Sequence, residues 1–392
     1  MKTTVLLITS VMTLLPLHAQ HHSKDVLSEI EQNNTTLKAL RETSNAEKLD
    51  NRSDCFLPDP EVEYNFLWGA PAPIGNRKDL SISQSFDIPT LFGMKSALAE
   101  QKNARLDRQY RTERMKILLE AKLHLLDLTY YNGLLKELSL RKAHTEILYE
   151  VRKQKLDKGE GNILEYNNVR LNRSKVEAEI KRVETERDAI IAQLTRLNGG
   201  RVISTDEEIF ETLYLPKEFR EWVAGAESKS PVLAFFETDI ALSKKQLLLN
   251  KALNLPSVSL GYISEQTFGE GYRGISVGIS IPLWSNRNRV KEAKAGLEAA
   301  RYRREDAIAR FYGEMEMLYQ RTCGLQEVAA TYRRALQEAD NSELLKKALD
   351  AGEISIVEYM MQVALYYDAV DQALAAERDC HKAFAELTAF EL

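Results

Sequence analysis

Two long stretches of this 392-residue chain, 90–215 and 283–392, contain no proline. Proline inside a helix costs about 3 kcal/mol, so gaps of this length mark long uninterrupted helices. Beyond the first 20 residues no apolar run reaches the ~18 residues of a membrane helix, which excludes a helical anchor. Basic excess is missing as well. The formal net charge is −5 and no basic stripe with interleaved aromatics occurs, which argues against nucleic acid as a partner. Catalytic signatures are absent: there is no Walker A, no G-x-S-x-G and no H-E-x-x-H. His18, His21, His22, His124, His144 and His381 form no ligand spacing, and His21-His22 reads as a solvated terminal pair. No metal, cofactor or enzymatic activity is therefore expected. The composition, 28% charged and 8% aromatic, suits a long-helix protein better than a compact enzyme.

Residues 1–20 read as a signal peptide: Lys2, an apolar core from Val5 to Leu17, then His18-Ala19-Gln20. Losing Lys2 takes the net charge from −5 to −6. The first cysteine is Cys55, so no lipid-modified N-terminus is expected.

What is present is a repeat. Leu156-Asp157-Lys158-Gly159-Glu160 returns as Leu349-Asp350-Ala351-Gly352-Glu353, and Ile163-Leu164-Glu165-Tyr166 returns as Ile356-Val357-Glu358-Tyr359. The offset is 193 residues. Ile88-Pro89 and Ile281-Pro282 share it, which points to a tandem duplication. Each copy sets a glycine turn between two helical runs. The long arms, Thr90 to Leu156 and Asn286 to Leu349, would each extend about 95–100 Å. Leu118, Ala121, Leu125, Leu128, Tyr131, Leu135 and Leu138 on one arm show coiled-coil spacing, as do Ile356, Tyr359, Val363, Tyr366, Val370 and Ala373 on the last helix.

Upstream of each arm the period drops to 2. Val62, Tyr64, Phe66 and Trp68, then Leu80, Ile82, Phe86 and Ile88, alternate with polar or small residues. In the second half Val258, Leu260 and Tyr262, then Ile275, Val277, Ile279 and Ile281, alternate with Ser and Gly. These read as two β-hairpins with loops Gly69–Asp79 and Thr267–Gly274. Two hairpins packed as a small soluble sandwich would show the same alternation. Trp68, Tyr64, Tyr262, Tyr272 and Trp284 lie near strand ends, where membrane barrels carry aromatic girdles. Four strands cannot close a barrel, and open edges in lipid leave backbone groups unsatisfied, so several chains must share one. Two copies give a filled eight-stranded barrel, and three give twelve strands and a lumen, which the small inward residues fit better. The segments are then a signal peptide 1–20, an N-terminal helical segment 21–60, a barrel hairpin 61–89, a helical hairpin 90–199 with its tip near 157–162, a connector 200–230, a helix 231–255, a second barrel hairpin 256–282, and a second helical hairpin 283–392 with its tip near 350–355.

With the repeat, the Ile-Pro strand ends and the glycine tips followed by an acid, the chain from about residue 24 to 392 resembles the TolC-like outer-membrane efflux proteins of Gram-negative bacteria. The resemblance implies a mainly α fold with a membrane β-barrel. Its long antiparallel coiled-coil hairpins form a periplasmic tunnel, and four strands per chain enter a shared twelve-stranded barrel in a homotrimer. It implies outer membrane lipid around the barrel, docking to a periplasmic membrane-fusion adaptor, and an inner-membrane pump, the proton-driven RND type being favoured. In the family, acids six and nine positions past the tip glycine line the periplasmic aperture. Glu358 and Glu165 match the first position, while Met361 and Asn168 depart from the second. A ring of three Glu358 carboxylates would repel itself and raise its own pKa. Alternatively Glu358 is an ordinary first-turn glutamate favoured by the helix dipole. Leu156, Gly159, Leu349 and Gly352 would form the adaptor-docking tips.

Cys323 and Cys380 lie 29 and 28 residues from Gly352 on either side, so they should face each other across the second hairpin and could form a disulfide. The function expected is a passive exit duct whose gate is an iris-like motion of residues 341–362. A soluble periplasmic coiled-coil adaptor or structural protein is the alternative.

Overall fold

The computed structural model describes residues 23–86, 89–203, 205–284, 286–339 and 341–392. The signal segment 1–20, His21-His22 and Ile88 lie outside them. The order is α1 (Ser23–Asn33), α2 (Thr35–Ser53), β1 (Glu61–Leu67), β2 (Arg77–Phe86), α3 (Pro89–Asp157), α4 (Ile163–Leu197), α5 (Phe219–Lys229) and α6 (Pro231–Ala252). There follow β3 (Ser257–Thr267), β4 (Glu270–Ser280), α7 (Arg289–Glu338), α8 (Ser342–Asp350) and α9 (Ile356–Leu387).

Helix α3 runs 69 residues without interruption, about 100 Å. Pro89 opens it at a position where the missing N–H costs nothing. Its antiparallel partner is α4, and α9 returns along α7 in the same way. The second arm differs from the single helix expected. α7 ends at Glu338 and α8 begins at Ser342. Asn341 before α8 is of a residue type that competes for nearby backbone groups and weakens a helix where no packing holds it.

The N-terminal segment, read as one helix, is two. Asn34 is the N-cap of α2, its side-chain oxygen accepting from the Leu37 amide at 2.9 Å. The connector contains α5. Ser230 then caps α6 by accepting from Leu233 N, just as Asn34 does for α2. Asn34 and Ser230 are 196 residues apart, against 193 downstream of the hairpins, so the repeat reaches back to residue 23 and the three-residue difference falls within the hairpins. The packing repeats too. Val26 and Ile30 of α1 bury against Leu125, Leu128 and Leu194 of the first helical hairpin. Val223 and Ala226 of α5 bury against Met315 and Leu387 of the second. Near the sheet, α6 lies between α3 and α7, and its buried Asp239 accepts from Arg105 and Arg303, one on each neighbour, both at 3.2 Å.

The four strands form one antiparallel sheet in the order β1-β2-β3-β4, not a sandwich of two hairpins. Strands β2, β3 and β4 reach 10, 11 and 11 residues, about the ~9–11 of a tilted membrane strand. The second loop shrinks to Phe268-Gly269, where Gly269 supplies the left-handed φ of +89° that so short a turn requires. Register places Val62 opposite Ile82, Ile82 opposite Tyr262 and Tyr262 opposite Ile275. Directly opposed residues share a face, so all four strands present most of their apolar residues on one side, Leu67 and Ile263 excepted. That side is exposed: Ile275, Val277 and Ile279 are each at least two-thirds accessible. The reverse side carries Ser81, Ser83, Ser85, Ser259, Gly261, Ser276 and Gly278, interrupted by Ile263. Tyr272 falls on this polar side opposite Glu265, so it does not join a lipid-facing girdle.

The connector crosses α3 at Asn132-Gly133. Asn132 Nδ2 donates to the carbonyls of Thr205 and Glu207 at 3.0 Å, and Arg187 Nε donates to Asn132 Oδ1 at 2.7 Å. A Cβ on Gly133 would sit 2.9 Å from the Glu208 carbonyl oxygen. Backbone cannot withdraw as a flexible side chain can. Gly133→Ala should therefore lower stability by about 1–3 kcal/mol, read as a reduced thermal midpoint. An unchanged midpoint would mean that the strap lifts freely.

Candidate functional site: the hairpin tips and the fastening of α9

The two tips are built alike, bond for bond. At the first, Glu160 N donates to Lys155 O at 2.9 Å and Gly159 N to Leu156 O at 2.9 Å. At the second, Glu353 N donates to Ala348 O at 2.9 Å and Gly352 N to Leu349 O at 3.1 Å. This is the glycine helix stop, with Gly159 at φ +76° and Gly352 at φ +74°. Asn162 and Ser355, again 193 apart, cap the returning helices. Beyond that the halves diverge. Ile163 is exposed, whereas its equivalent Ile356 is fully buried in a cluster with Tyr359, Leu349 and Val169 that joins the second tip to the first hairpin. Leu156 and Leu349 are both half-buried.

The two expected aperture acids sit differently. Glu165 of α4 pairs with Arg152 of α3 at 3.3 Å, so its charge is met within its own hairpin. Glu358 closes a capping box: it accepts from Ser355 N at 2.8 Å, and its own N–H donates to Ser355 Oγ at 3.2 Å. The Ser355 backbone and hydroxyl hydrogen bonds hold the Glu358 carboxyl below the usual carboxylate range. Within one chain this is the first-turn glutamate reading, and the direction is opposite to that of a self-repelling ring. Glu358 is nonetheless exposed and makes no ion pair among the described residues. Val357, Met361 and Leu365 form an exposed apolar stripe beside it at four-residue steps.

A polar cluster fastens α9 to α3. Arg141, buried, gives Asp371 two hydrogen bonds at 2.9 and 2.6 Å, donates to the Tyr367 carbonyl at 3.3 Å and lies 4.5 Å over the Tyr367 ring. His144 stands between two tyrosine hydroxyls, Nδ1 at 3.1 Å from Tyr367 and Nε2 at 2.7 Å from Tyr359. A neutral imidazole serves both, accepting from one and donating to the other. Burial, helped by the nearby Lys346 ammonium of α8, pushes the His144 pKa below its ordinary value. Burial raises the pKa of both tyrosines. A groove of about 570 Å³, lined by Leu140, His144, Leu336, Tyr359, Val363 and Tyr366, opens beside the α7–α8 break.

Sequence reading did not single out Arg141, His144, Tyr367 or Asp371. A signal existed. Leu134, Leu138, Arg141, Thr145 and Leu148 continue the apolar spacing of α3, with an arginine and a threonine at positions the seam buries.

Cys323 and Cys380 are both free thiols, so the expected disulfide is not formed. Cys380 is buried with Sγ 3.9 Å from the Thr322 carbonyl, and burial pushes its thiol up to about 11. It is Thr322, fully buried, that occupies the seam opposite Cys380; Cys323, one residue on, is turned about 100° around the helix.

Residues 222–390, from α5 to the last turn beyond α9, match the family model of the outer membrane efflux proteins. Over that stretch the chain is similar to the outer membrane efflux family. No curated protein matches at the sequence level. Three solved structures share its fold. The outer membrane protein VceC of Vibrio cholerae aligns over 94% of this chain and 95% of its own, at 12% identity and TM-score 0.72. The CmeC outer membrane channel of Campylobacter jejuni aligns over 94% and 85%, at 14% identity and TM-score 0.70. The open state of the MtrE outer membrane channel of Neisseria gonorrhoeae aligns over 94% and 88%, at 14% identity and TM-score 0.68.

Removing Asp371 leaves Arg141 charged and buried. Asp371→Ala should cost about 1.5–3 kcal/mol and speed amide exchange in α9, and R141M/D371L should recover part of the loss. A cost inside experimental error would mean that the pair fastens nothing. A histidine held neutral in the folded state takes up protons preferentially once released, so its contribution is present above its ordinary value of about 6.5 and fades as pH falls below it. His124 and His381 are lowered in the same direction, the latter to about 4. His144→Gln should therefore flatten, without abolishing, the loss of thermal stability between pH 7 and pH 5. An identical pH slope in the variant would show that His144 is not buried neutral.

Proposed function

We propose that three copies of this chain form a passive exit duct in the outer membrane of a Gram-negative cell. One observation carries the reading: an in-register apolar sheet face is exposed while the reverse face is mostly Ser, Gly and charged residues, and the outer edges of β1 and β4 are unpaired. Among the described residues, no surface of the same chain covers either. A neighbour's β4 against β1 satisfies the edges, twelve strands close the barrel, and lipid covers the apolar side. The helical hairpins then continue the lumen for about 100 Å into the periplasm.

The tips around Gly159 and Gly352, with Leu156 and Leu349, dock a periplasmic membrane-fusion adaptor, and an inner-membrane pump of the RND type supplies the energy. The duct itself hydrolyses nothing. Glu358 of each copy, unneutralised on its own hairpin, faces the axis with Met361 one turn above it. Opening moves residues 341–362 about the α7–α8 break. Release of the Tyr359–His144 contact lets the tip swing, while Arg141–Asp371 holds the upper part of α9 in place. The soluble adaptor reading finds no support in a sheet of this kind.

Membrane fractionation should recover the chain as an oligomer that runs fast on an unboiled gel and collapses on heating. In a planar bilayer Glu358→Ala should raise conductance or weaken block by divalent cations. A water-soluble monomer would end the duct reading, and a channel unchanged by the substitution would place the constriction elsewhere.

A further inference from the structure

The eight charged residues in the strands are sorted by face. Glu61, Glu63, Arg77, Asp79, Glu265 and Glu270 lie on the polar side, where Arg77 is already met by Asp79 at 2.7 Å and Glu265 at 3.0 Å. Only Lys78 and Arg273 share the apolar side, and both are cations. Both are exposed, and among the described residues neither makes an ion pair. The Lys78 ammonium stands 6.0 Å over the ring of Phe66, itself in edge contact with Trp68.

Their height on the sheet is the second observation. On β4, Ile279, Val277 and Ile275 run up the apolar face over about 13 Å and Arg273 follows as the next outward residue. On β2, Phe86, Ile82 and Leu80, with Gln84 between the first two, lead up to Lys78. The cations thus cap the apolar band at the end remote from the helices. The loop above them, Trp68 to Asn76, carries no charge and exposes Trp68 and Ile74, and Phe268 projects from the neighbouring turn. Cations used only for solubility would be mixed with carboxylates, as on the reverse face. Two unopposed cations between an apolar band and an aromatic rim have the chemistry of a lipid phosphate contact.

Resting on the duct reading, we infer that Lys78 and Arg273 form a phosphate clamp for a phosphorylated glycolipid of the outer leaflet. The acyl chains lie along Ile275, Val277 and Leu80, and the sugar sits against Trp68 and Phe268. Each chain carries its own clamp, since β2 and β4 both flank β3.

The test uses the full chain purified in detergent, with lipid A bearing both phosphates, the same lipid with the phosphates removed, and phosphatidylcholine. Retained lipid is counted by native mass spectrometry, and the thermal midpoint is read in parallel. Phosphorylated lipid A should be retained and raise the midpoint, while the other two should not. K78Q/R273Q should lose about thirtyfold in affinity, with K78R/R273K close to wild type. Equal binding of the dephosphorylated lipid to the wild-type chain, or undiminished binding of phosphorylated lipid to K78Q/R273Q, would overturn the clamp while leaving the duct intact. The comparison of lipids on the wild-type chain decides the matter even if K78Q/R273Q fails to assemble. A wild-type chain that never enters micelles would remove the duct, and the clamp with it.

Discussion

A β-sheet with two free edges and an apolar face open to solvent cannot be the final state of a chain. Unpaired strand edges invite further pairing, and every unsatisfied backbone group would cost several kcal/mol in lipid. Here the face is continuous across four strands because the registers of β1–β2, β2–β3 and β3–β4 all keep the same parity. The rest of the molecule follows from meeting this demand outside the chain. In the duct we propose, helices that continue a lumen cannot curl into a globule, and α3 runs 69 residues.

Duplication supplies an economical route to such a shape, and the differences between the halves are where function concentrates. Backbone bonding at the two glycine tips is the same, down to which carbonyl receives which amide. The surroundings are not. The first acid, Glu165, is neutralised by Arg152, and the second, Glu358, is left open. The first arm is unbroken, and the second is interrupted between Glu338 and Ser342. The interruption lies beside the Tyr359–His144 contact, with the Arg141–Asp371 pair further along α9. Movable elements come from regions with few buried contacts, and α8 packs on little beyond α9.

Charge follows the same economy. Carboxylates dominate the face with small side chains, and cations alone mark the top of the apolar one. Buried charges in the helices are bridged, as Asp239 is between Arg105 and Arg303, because an unpaired one would cost more than the packing returns.

Much of this was determined by sequence alone, through local physics. Proline-free windows, glycine stops and a period of 2 or 3.6 act within a few residues, so the repeat, the hairpins, the tips and the two-faced strands were all readable. What only tertiary structure decided were the contacts between distant segments. It joined the two hairpins into one sheet, crossed the connector over Gly133, and set Thr322 rather than Cys323 opposite Cys380. It also brought Arg141 and His144 to Tyr359, Tyr367 and Asp371, more than 200 residues away. Spacing along one helix states which face a residue occupies; which face of another helix meets it depends on how both are rotated, and that is settled only when the pair packs.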